Sequence, residues 1–316
     1  MSQQALMRLG LDWEDVADDV YFRRDFVALY AEPDGVDALE RPDYRHLAAL
    51  RPIPGTGLRD LETPYGYGGP IAPDPAAFAV GLDAWRRRQA AAGHICEFLR
   101  LYPFIATERM AEGFDEFCFD RDTVVVDLRT STEDRLAWYS QSTRRFLRKA
   151  EKAFQIRRLA PEEYQTFRRC YEAGLQRSQA RARYYFAEEQ HRQCLAAPWA
   201  TAFVLEAEGE AVGAALFLSS RRLAHYHLAG LTDAGIAHHG LYLLLNHAFN
   251  YFAAQGQFWM HLGGGRSTDP EDTLMQFKRR FSDATIPFNT GALIFDRPTF
   301  ERLGGGRDGR LQSYRG

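Results

Sequence analysis

The chain has 316 residues, 46% hydrophobic and 26% charged, the make-up of a globular protein with about two domains. A formal net charge of −3 excludes a protein that coats nucleic acid through its overall field, while leaving room for a local basic patch. Cys96, Cys118, Cys170 and Cys194 fall in no CxxC or zinc-like spacing and read as reduced thiols, so no metal centre is expected.

The start, MSQQALMRLGLDWEDVADDV, has neither the basic opening nor the apolar run of a signal peptide. No apolar stretch approaches a membrane span, and the expected location is cytoplasmic. In residues 12–31 the spacing of Trp13, Val16, Val20, Phe22, Phe26 and Tyr30 predicts one or two helices. Residues 46–53 are a candidate strand, and TPYGYGGP (63–70) holds too much Gly and Pro for regular structure. Residues 75–93 read as a helix with Phe78, Leu82 and Trp85 on one face; residues 95–102 and 123–128 are strand-like. Residues 132–153 read as one long helix capped by Ser131 or Thr132, and 161–179 as another. Residues 201–218 predict a hairpin turning at Glu208-Gly209-Glu210. Then come a strand (223–231), an apolar helix (240–254) and a strand (258–262).

Alternating strands and helices indicate an α/β fold with mixed α+β sheets. Residues 223–262 form a strand–helix–strand unit, expected to be parallel, with ligands beyond the carboxyl ends of its strands.

The stretch HLGGGRSTDPEDTLMQFKRRF (261–281) concentrates the chemistry. Asp269 before Pro270, Glu271 and Asp272 predicts a helix start, running to about Phe281. At about 100° per residue, Leu274, Phe277 and Phe281 share a stripe, Lys278 sits at its edge, and Arg279 and Arg280 project away. An inward lysine either snorkels to water or borders a cleft where it stabilises developing negative charge. Gly263, Gly264 and Gly265 permit close backbone approach to a ligand, but without GK[ST] they are not a phosphate loop. In LAHYHLAG, His225 and His227 are expected on one face of the strand and Tyr226 on the other; His261 opens the second parallel strand. The three histidines are either catalytic or hydrogen-bonded core residues.

TRRFLRKAEKAF (143–154), HYHLAG (225–230), GLYLLLNHAFNYFAAQG (240–256), HLGGG and Phe277-Lys278 together resemble the FemABX branch of the GNAT acyltransferase superfamily, which includes BioF2-like acetyltransferase domains. TPYGYGGP is similar to the first half of such proteins. The resemblance implies two tandem GNAT-like subdomains with a cleft between them: residues 1–131 on the acceptor side, and 132–316 on the donor side and catalytic, the last strand free to return to the N-terminal subdomain. It implies transfer of an aminoacyl or acyl group to an amine. In the peptidoglycan-bridge members the donor is an aminoacyl-tRNA and the acceptor a nucleotide-linked muropeptide. Carried over, the lysine that meets the donor carbonyl is Lys278, with Phe277 beside it. The turn that binds the coenzyme A pyrophosphate in ordinary GNAT enzymes reads GIAHHGLY (235–242), with glycines only near its ends. The bridge enzymes' coiled-coil arm is absent.

The expected enzyme is therefore an N-acyltransferase with no tightly bound cofactor, using aminoacyl-tRNA or acyl-CoA as co-substrate. Lys278 stabilises the oxyanion, and His225, His227 or His261 accepts the amine proton. Phe277, Tyr226, Gly263, Gly264, Gly265, Tyr65, Tyr67 and Arg100 are candidate substrate contacts. Arg144, Arg145, Arg148, Lys149 and Lys152 are either a solvated helix face or a docking surface for tRNA phosphates. The rivals are an acyl-CoA-dependent N-acetyltransferase acting on an amino sugar or amino acid, in polysaccharide or secondary-metabolite assembly, and a non-catalytic GNAT-like module binding a peptide or sugar precursor.

Overall fold

The computed structural model describes residues 9–32, 35–105, 107–269, 271–307 and 311–315. Pro270, and residues 1–8 of the start read for a leader, lie outside them. In chain order the elements are α1 (Trp13–Ala17), α2 (Arg24–Ala28), β1 (Val36–Arg41), β2 (Tyr44–Pro52), β3 (Arg59–Glu62), α3 (Pro75–Ala91), β4 (Cys96–Arg100) and β5 (Glu116–Asp127). There follow α4 (Thr132–Trp138), α5 (Gln141–Ala153), β6 (Gln155–Arg158), α6 (Tyr164–Arg177), α7 (Glu188–Ala196), β7 (Ala200–Ala207), β8 (Glu210–Ser219) and β9 (Leu223–Leu231). The last are α8 (Asp233–Ala237), α9 (Gly240–Ala254), β10 (Trp259–Gly263), α10 (Thr273–Lys278), β11 (Thr285–Ile294) and α11 (Arg297–Leu303). Two compact units form, one from residues 1–122 with 286–316, the other from residues 123–285.

In the first unit the strands run in the order β1-β2-β3-β4-β11, with β3 and β4 parallel and the other neighbours antiparallel. Asp74 caps α3 by accepting the amides of Ala76 and Ala77, and Pro75 fills the first helical position. The helix buries Phe78, Leu82 and Trp85, as its periodicity predicts.

The second unit is built on a sheet ordered β10-β9-β8-β7-β6, with residues 124–127 of β5 antiparallel to β10. β6 to β9 are antiparallel, and β9 and β10 are parallel, as the strand–helix–strand reading requires. Helices α5 and α9 cover one face, burying Leu147, Ala150, Leu244, Ala248, Phe249 and Phe252 with Phe203, Phe217, Ala224, Met260 and Leu262. Helix α6 covers the other, so close at Gly230 that a Cβ there would lie 2.1 Å from the Cys170 carbonyl oxygen.

Three expectations are corrected. The long helix of residues 132–153 is two, because Tyr139 leaves the helix at φ −60° and ψ 139° and Ser140 caps α5, accepting the Thr143 amide. Helix α10 starts at Thr273 rather than Pro270 and ends at Lys278; its cap is Asp272, whose carboxylate accepts the Met275 amide, while Asp269 caps only a turn at Glu271. Strict alternation along HYH fails, because a bulge in the β8–β9 register, where Leu216 faces Leu228 but Phe217 faces Tyr226, leaves His227 unopposed.

Candidate functional site

The site is assembled where the parallel pairing of β9 and β10 ends, at the carboxyl end of β10 and within the first half of β9. Their register pairs Leu223 with Trp259, Ala224 with Met260 and His225 with His261. Among the described residues the parallel pairing ends there, while β9 continues to Leu231 beside β8. Because Met260, Leu262 and Ala224 face the α9 side, His225 and His261 share the opposite face, each 1% exposed, with ring centroids 5.9 Å apart.

The chain leaves β10 through the glycines. Gly263 takes φ +75°, in the left-handed region open to glycine. Gly265 makes room for Asp272: a Cβ there would lie 2.6 Å from Oδ1 of that carboxylate. Gly264 presents its carbonyl to Lys278, whose Nζ donates to it at 2.6 Å. Lys278 is only 6% exposed, and its ammonium lies 6.0 Å from the centroid of the Tyr226 ring. The stripe predicted for this helix is present. Phe277 stands edge-on to Tyr242 at 5.1 Å and Phe281 is 3% exposed, while Arg279 and Arg280 are exposed.

The imidazoles are electrostatically linked. Burial, then His225, then the Lys278 charge hold His261 well below the ordinary histidine value. Burial, then His225, then His191 depress His227 to about 3. The structure thus brings Lys278, His261, His225, Tyr226 and the glycine turn together where β10 leaves β9, with His227 one bulge further along β9. Such a group can hold negative charge and, through neutral imidazoles, accept a proton. Among the described residues no group of three His, Cys, Asp or Glu side chains is placed to hold a metal ion.

The remaining candidates are described within their own units. Tyr65, Tyr67 and Arg100 belong to the first unit. Tyr67 packs edge-on against Tyr21 at 5.6 Å and Phe288 at 5.1 Å, and Tyr65 lies 6.2 Å from Tyr30. Arg100 ends β4 rather than standing mid-strand and donates to the Thr63 carbonyl at 2.5 Å, a structural partner for its charge.

Of the basic residues, Arg145, Arg148, Lys149 and Lys152 are exposed on α5, and Arg144 is tied to the Leu136 and Ala137 carbonyls. Lys149 donates to the Ala237 carbonyl at 2.9 Å, just before α9. His239, at φ +61°, precedes α9 with its ring 4.0 Å from Phe146. Burial, then Lys149 and Arg145, lower its pKa.

Sequence reasoning missed three things. Lysines occur only at 149, 152 and 278 among 39 basic residues, a bias that singles out Lys278 and is countable at a glance. Asp272 was taken for a first-turn acid, although its place six residues before Lys278 is visible. His191, 2% exposed among the rings of Phe167, Tyr171 and Phe186, carries no motif that would have flagged it.

Residues 138–279 match the acetyltransferase (GNAT) domain family. No curated protein matches the chain. Among solved structures, FemX superposes with a TM-score of 0.72 at 11% identity, over 90% of this chain and 94% of that one. The C-terminal domain (DUF2156) of a putative lysylphosphatidylglycerol synthetase from Agrobacterium fabrum gives 0.59 at 13% identity, over 92% of each chain. L-PGS from Bacillus licheniformis gives 0.58 at 12% identity, over 83% and 85%. The mixed-sheet, FemX-like GNAT fold expected from the sequence motifs is the fold observed.

Proposed function

From a GNAT acyltransferase domain on a FemX-like fold, we propose that the chain joins an aminoacyl or acyl group to an amine, forming an amide, with Lys278 at the reacting carbonyl. The position of Lys278 carries this reading: a buried ammonium fixed to the Gly264 carbonyl at the end of a parallel strand pair, beside the His261 imidazole that burial keeps neutral. The acceptor nitrogen attacks the carbonyl of a donor ester or thioester, and its C=O electrons move onto oxygen. The Lys278 charge stabilises that oxyanion, an effect worth about 10²–10³ in rate for one well-placed donor. Collapse breaks the C–O or C–S bond, and the leaving group takes one proton. If the acceptor arrives as an ammonium, the proton it must first lose passes by way of His261, His225 or His227 to water, because burial leaves His261 and His227 too weakly basic to hold it.

The preferred donor is an aminoacyl-tRNA. The α8–α9 connection has His238 and His239 where a coenzyme A site would place glycines, and exposed Arg145, Arg148, Lys149 and Lys152 offer a track for phosphates. The putative lysylphosphatidylglycerol synthetase whose C-terminal domain shares the fold bears the name of an aminoacylated product, which supports transfer of an aminoacyl group. A second reading, acyl-CoA as donor, has its own support: Lys149 and Arg145 flank the start of α9, where a pyrophosphate gains from amides and the helix dipole. The acceptor is then an amino sugar, an amino acid or a peptide amine.

Thermal-shift measurements with coenzyme A, acetyl-CoA and charged tRNA separate the donors. Stabilisation by charged tRNA supports the first, and stabilisation by coenzyme A alone overturns it. For tRNA, Arg148→Ala is expected to reduce the slope of log affinity against log salt by about one. Whichever donor binds, Lys278→Ala is expected to remove most of the transfer rate while the protein stays folded; unchanged transfer removes the mechanism.

A further inference from the structure

The geometry points to Asp272 as a positioning residue that sets the Lys278 ammonium in place by clasping the glycine turn to the start of helix α10. This deepens the proposed role of Lys278 and rests on it for its functional meaning, but the clasp itself is a matter of hydrogen bonds.

One carboxylate serves two segments. Oδ1 accepts the Met275 amide at 2.9 Å, the ordinary work of a helix cap. Oδ2 accepts the amides of Arg266 at 2.8 Å and Ser267 at 3.0 Å, and the Ser267 hydroxyl at 3.3 Å. A cap needs only the first of these; the other three bind a loop five and six residues upstream. Two residues before Arg266 is Gly264, whose carbonyl accepts the hydrogen bond from Lys278 Nζ. The structure is therefore a closed ring: Asp272 through α10 to Lys278, Lys278 to Gly264, and the Gly264–Ser267 segment back to Asp272.

The third glycine completes the ring. Any side chain at 265 would drive a Cβ to 2.6 Å from Oδ1 and 2.7 Å from Cγ of Asp272. Burial alone would raise the Asp272 carboxyl, but the amides of Met275, Ser267 and Arg266 with the Ser267 hydroxyl together hold it below its ordinary value, as expected of an ionised oxygen facing hydrogen-bond donors. An amide side chain cannot replace it. Asparagine keeps one acceptor for Met275 but turns an NH2 toward the Arg266 and Ser267 amides.

The test reads Lys278 directly and needs no substrate. With three lysines in the chain, selective ¹³C labelling gives three Cε signals, assigned by Lys→Arg replacement of each. The groups that face Lys278 include the Gly264 carbonyl, the Tyr226 ring and the His261 imidazole. In Asp272→Asn the Lys278 signal is expected to move and its titration midpoint to fall by about one pH unit, the loss of one hydrogen bond to the charged form. The Lys149 and Lys152 signals stay where they are. Gly265→Ala, which displaces the carboxylate without removing its charge, is expected to give the same shift and serves alone if Asp272→Asn does not fold. Asp269→Asn, on an exposed residue of the same loop, is expected to change nothing. A Lys278 signal that keeps its wild-type position and midpoint in a folded Asp272→Asn or Gly265→Ala overturns the proposal, leaving Asp272 a cap. Because no acyl transfer is measured, failure of the catalytic reading shows separately, as a Lys278→Ala variant of undiminished activity.

Discussion

His225 and His261 stand opposite each other in the register of two parallel strands, almost wholly buried, with rings 5.9 Å apart at an interplanar angle of 73°. Two imidazoles this close in an apolar layer cannot both be protonated without desolvation and like-charge repulsion adding together. Burial then sets the character of the neighbourhood: His261 is held well below its ordinary value, His227 falls to about 3 and His191 to about 4.

These shifts make stability depend on pH in a definite direction. The unfolded histidines titrate near 6.5, so between that value and the lower folded values the unfolded chain binds more protons. Stability is therefore full above about pH 6.5 and falls as pH drops, by up to about 1.4 kcal/mol per pH unit for each imidazole. Urea unfolding at pH 7, 6 and 5 is expected to show this decline, and His191→Gln to make it shallower. Equal stability at pH 7 and pH 5 contradicts the burial of these rings.

The parts of this fold that were legible beforehand are those where one local pattern has one outcome. The strand of residues 223–231, the helix of 240–254 and the Glu208-Gly209 turn, both of whose residues take positive φ, follow from apolar periodicity and turn chemistry. The inward lysine followed from its spacing to Leu274 and Phe277. What misled was competition between signals of equal strength. Asp269 and Asp272 are both good caps, and only the loop amides of Arg266 and Ser267 choose Asp272. Ser140 is an N-cap hidden inside a pattern helical on both sides. The bulge at His227 has no local signature, since it is a property of the register with β8. For Arg100 the sequence left a substrate anion and a structural salt bridge both open, because the partner observed, the Thr63 carbonyl, is remote in sequence and carries no charge.

A second prediction concerns the first unit. Glu97 is fully buried, with Oε1 2.8 Å from Nε2 of His46 and Oε2 accepting the Trp85 indole N–H at 2.8 Å. The His46 ring stacks on Trp85 at 4.1 Å, and its Nδ1 lies 3.1 Å from the Tyr44 hydroxyl. Glu97→Ala strands two buried donors at once and is expected to cost about 3–5 kcal/mol in urea unfolding. Glu97→Gln keeps an acceptor and is expected to cost clearly less. Equal losses from the two variants mean that packing, not hydrogen bonding, maintains this cluster.

A third concerns the approach of α6 to β9. At Gly230 a Cβ would meet Cys170 O at 2.1 Å and Tyr171 Cα at 2.4 Å, both backbone atoms that no rotamer change can move. Gly230→Ala is expected to cost about 3 kcal/mol or more, because helix and strand must separate. Gly209 has φ +84° and open space around it. Gly209→Asn, which suits a type I′ turn, is expected to cost less than about 1 kcal/mol. Thermal unfolding of the two variants side by side checks the contrast, and a tolerated Gly230→Ala means that the helix does not pack this closely.

The fourth uses the free thiols. Cys118 is exposed, while Cys96, Cys170 and Cys194 are buried. Burial pushes Cys96 and Cys194 up to about 12 and raises Cys170 as well. At pH 8 a thiol at 12 is ionised in about one molecule in ten thousand, and the thiolate is the reacting species. A colorimetric disulfide reagent is therefore expected to label one thiol quickly in the native protein and all four after denaturation. Cys118→Ser is expected to abolish the fast phase. Rapid labelling of a second thiol in that variant means that one of the three buried sites opens to solvent on the time scale of the reaction.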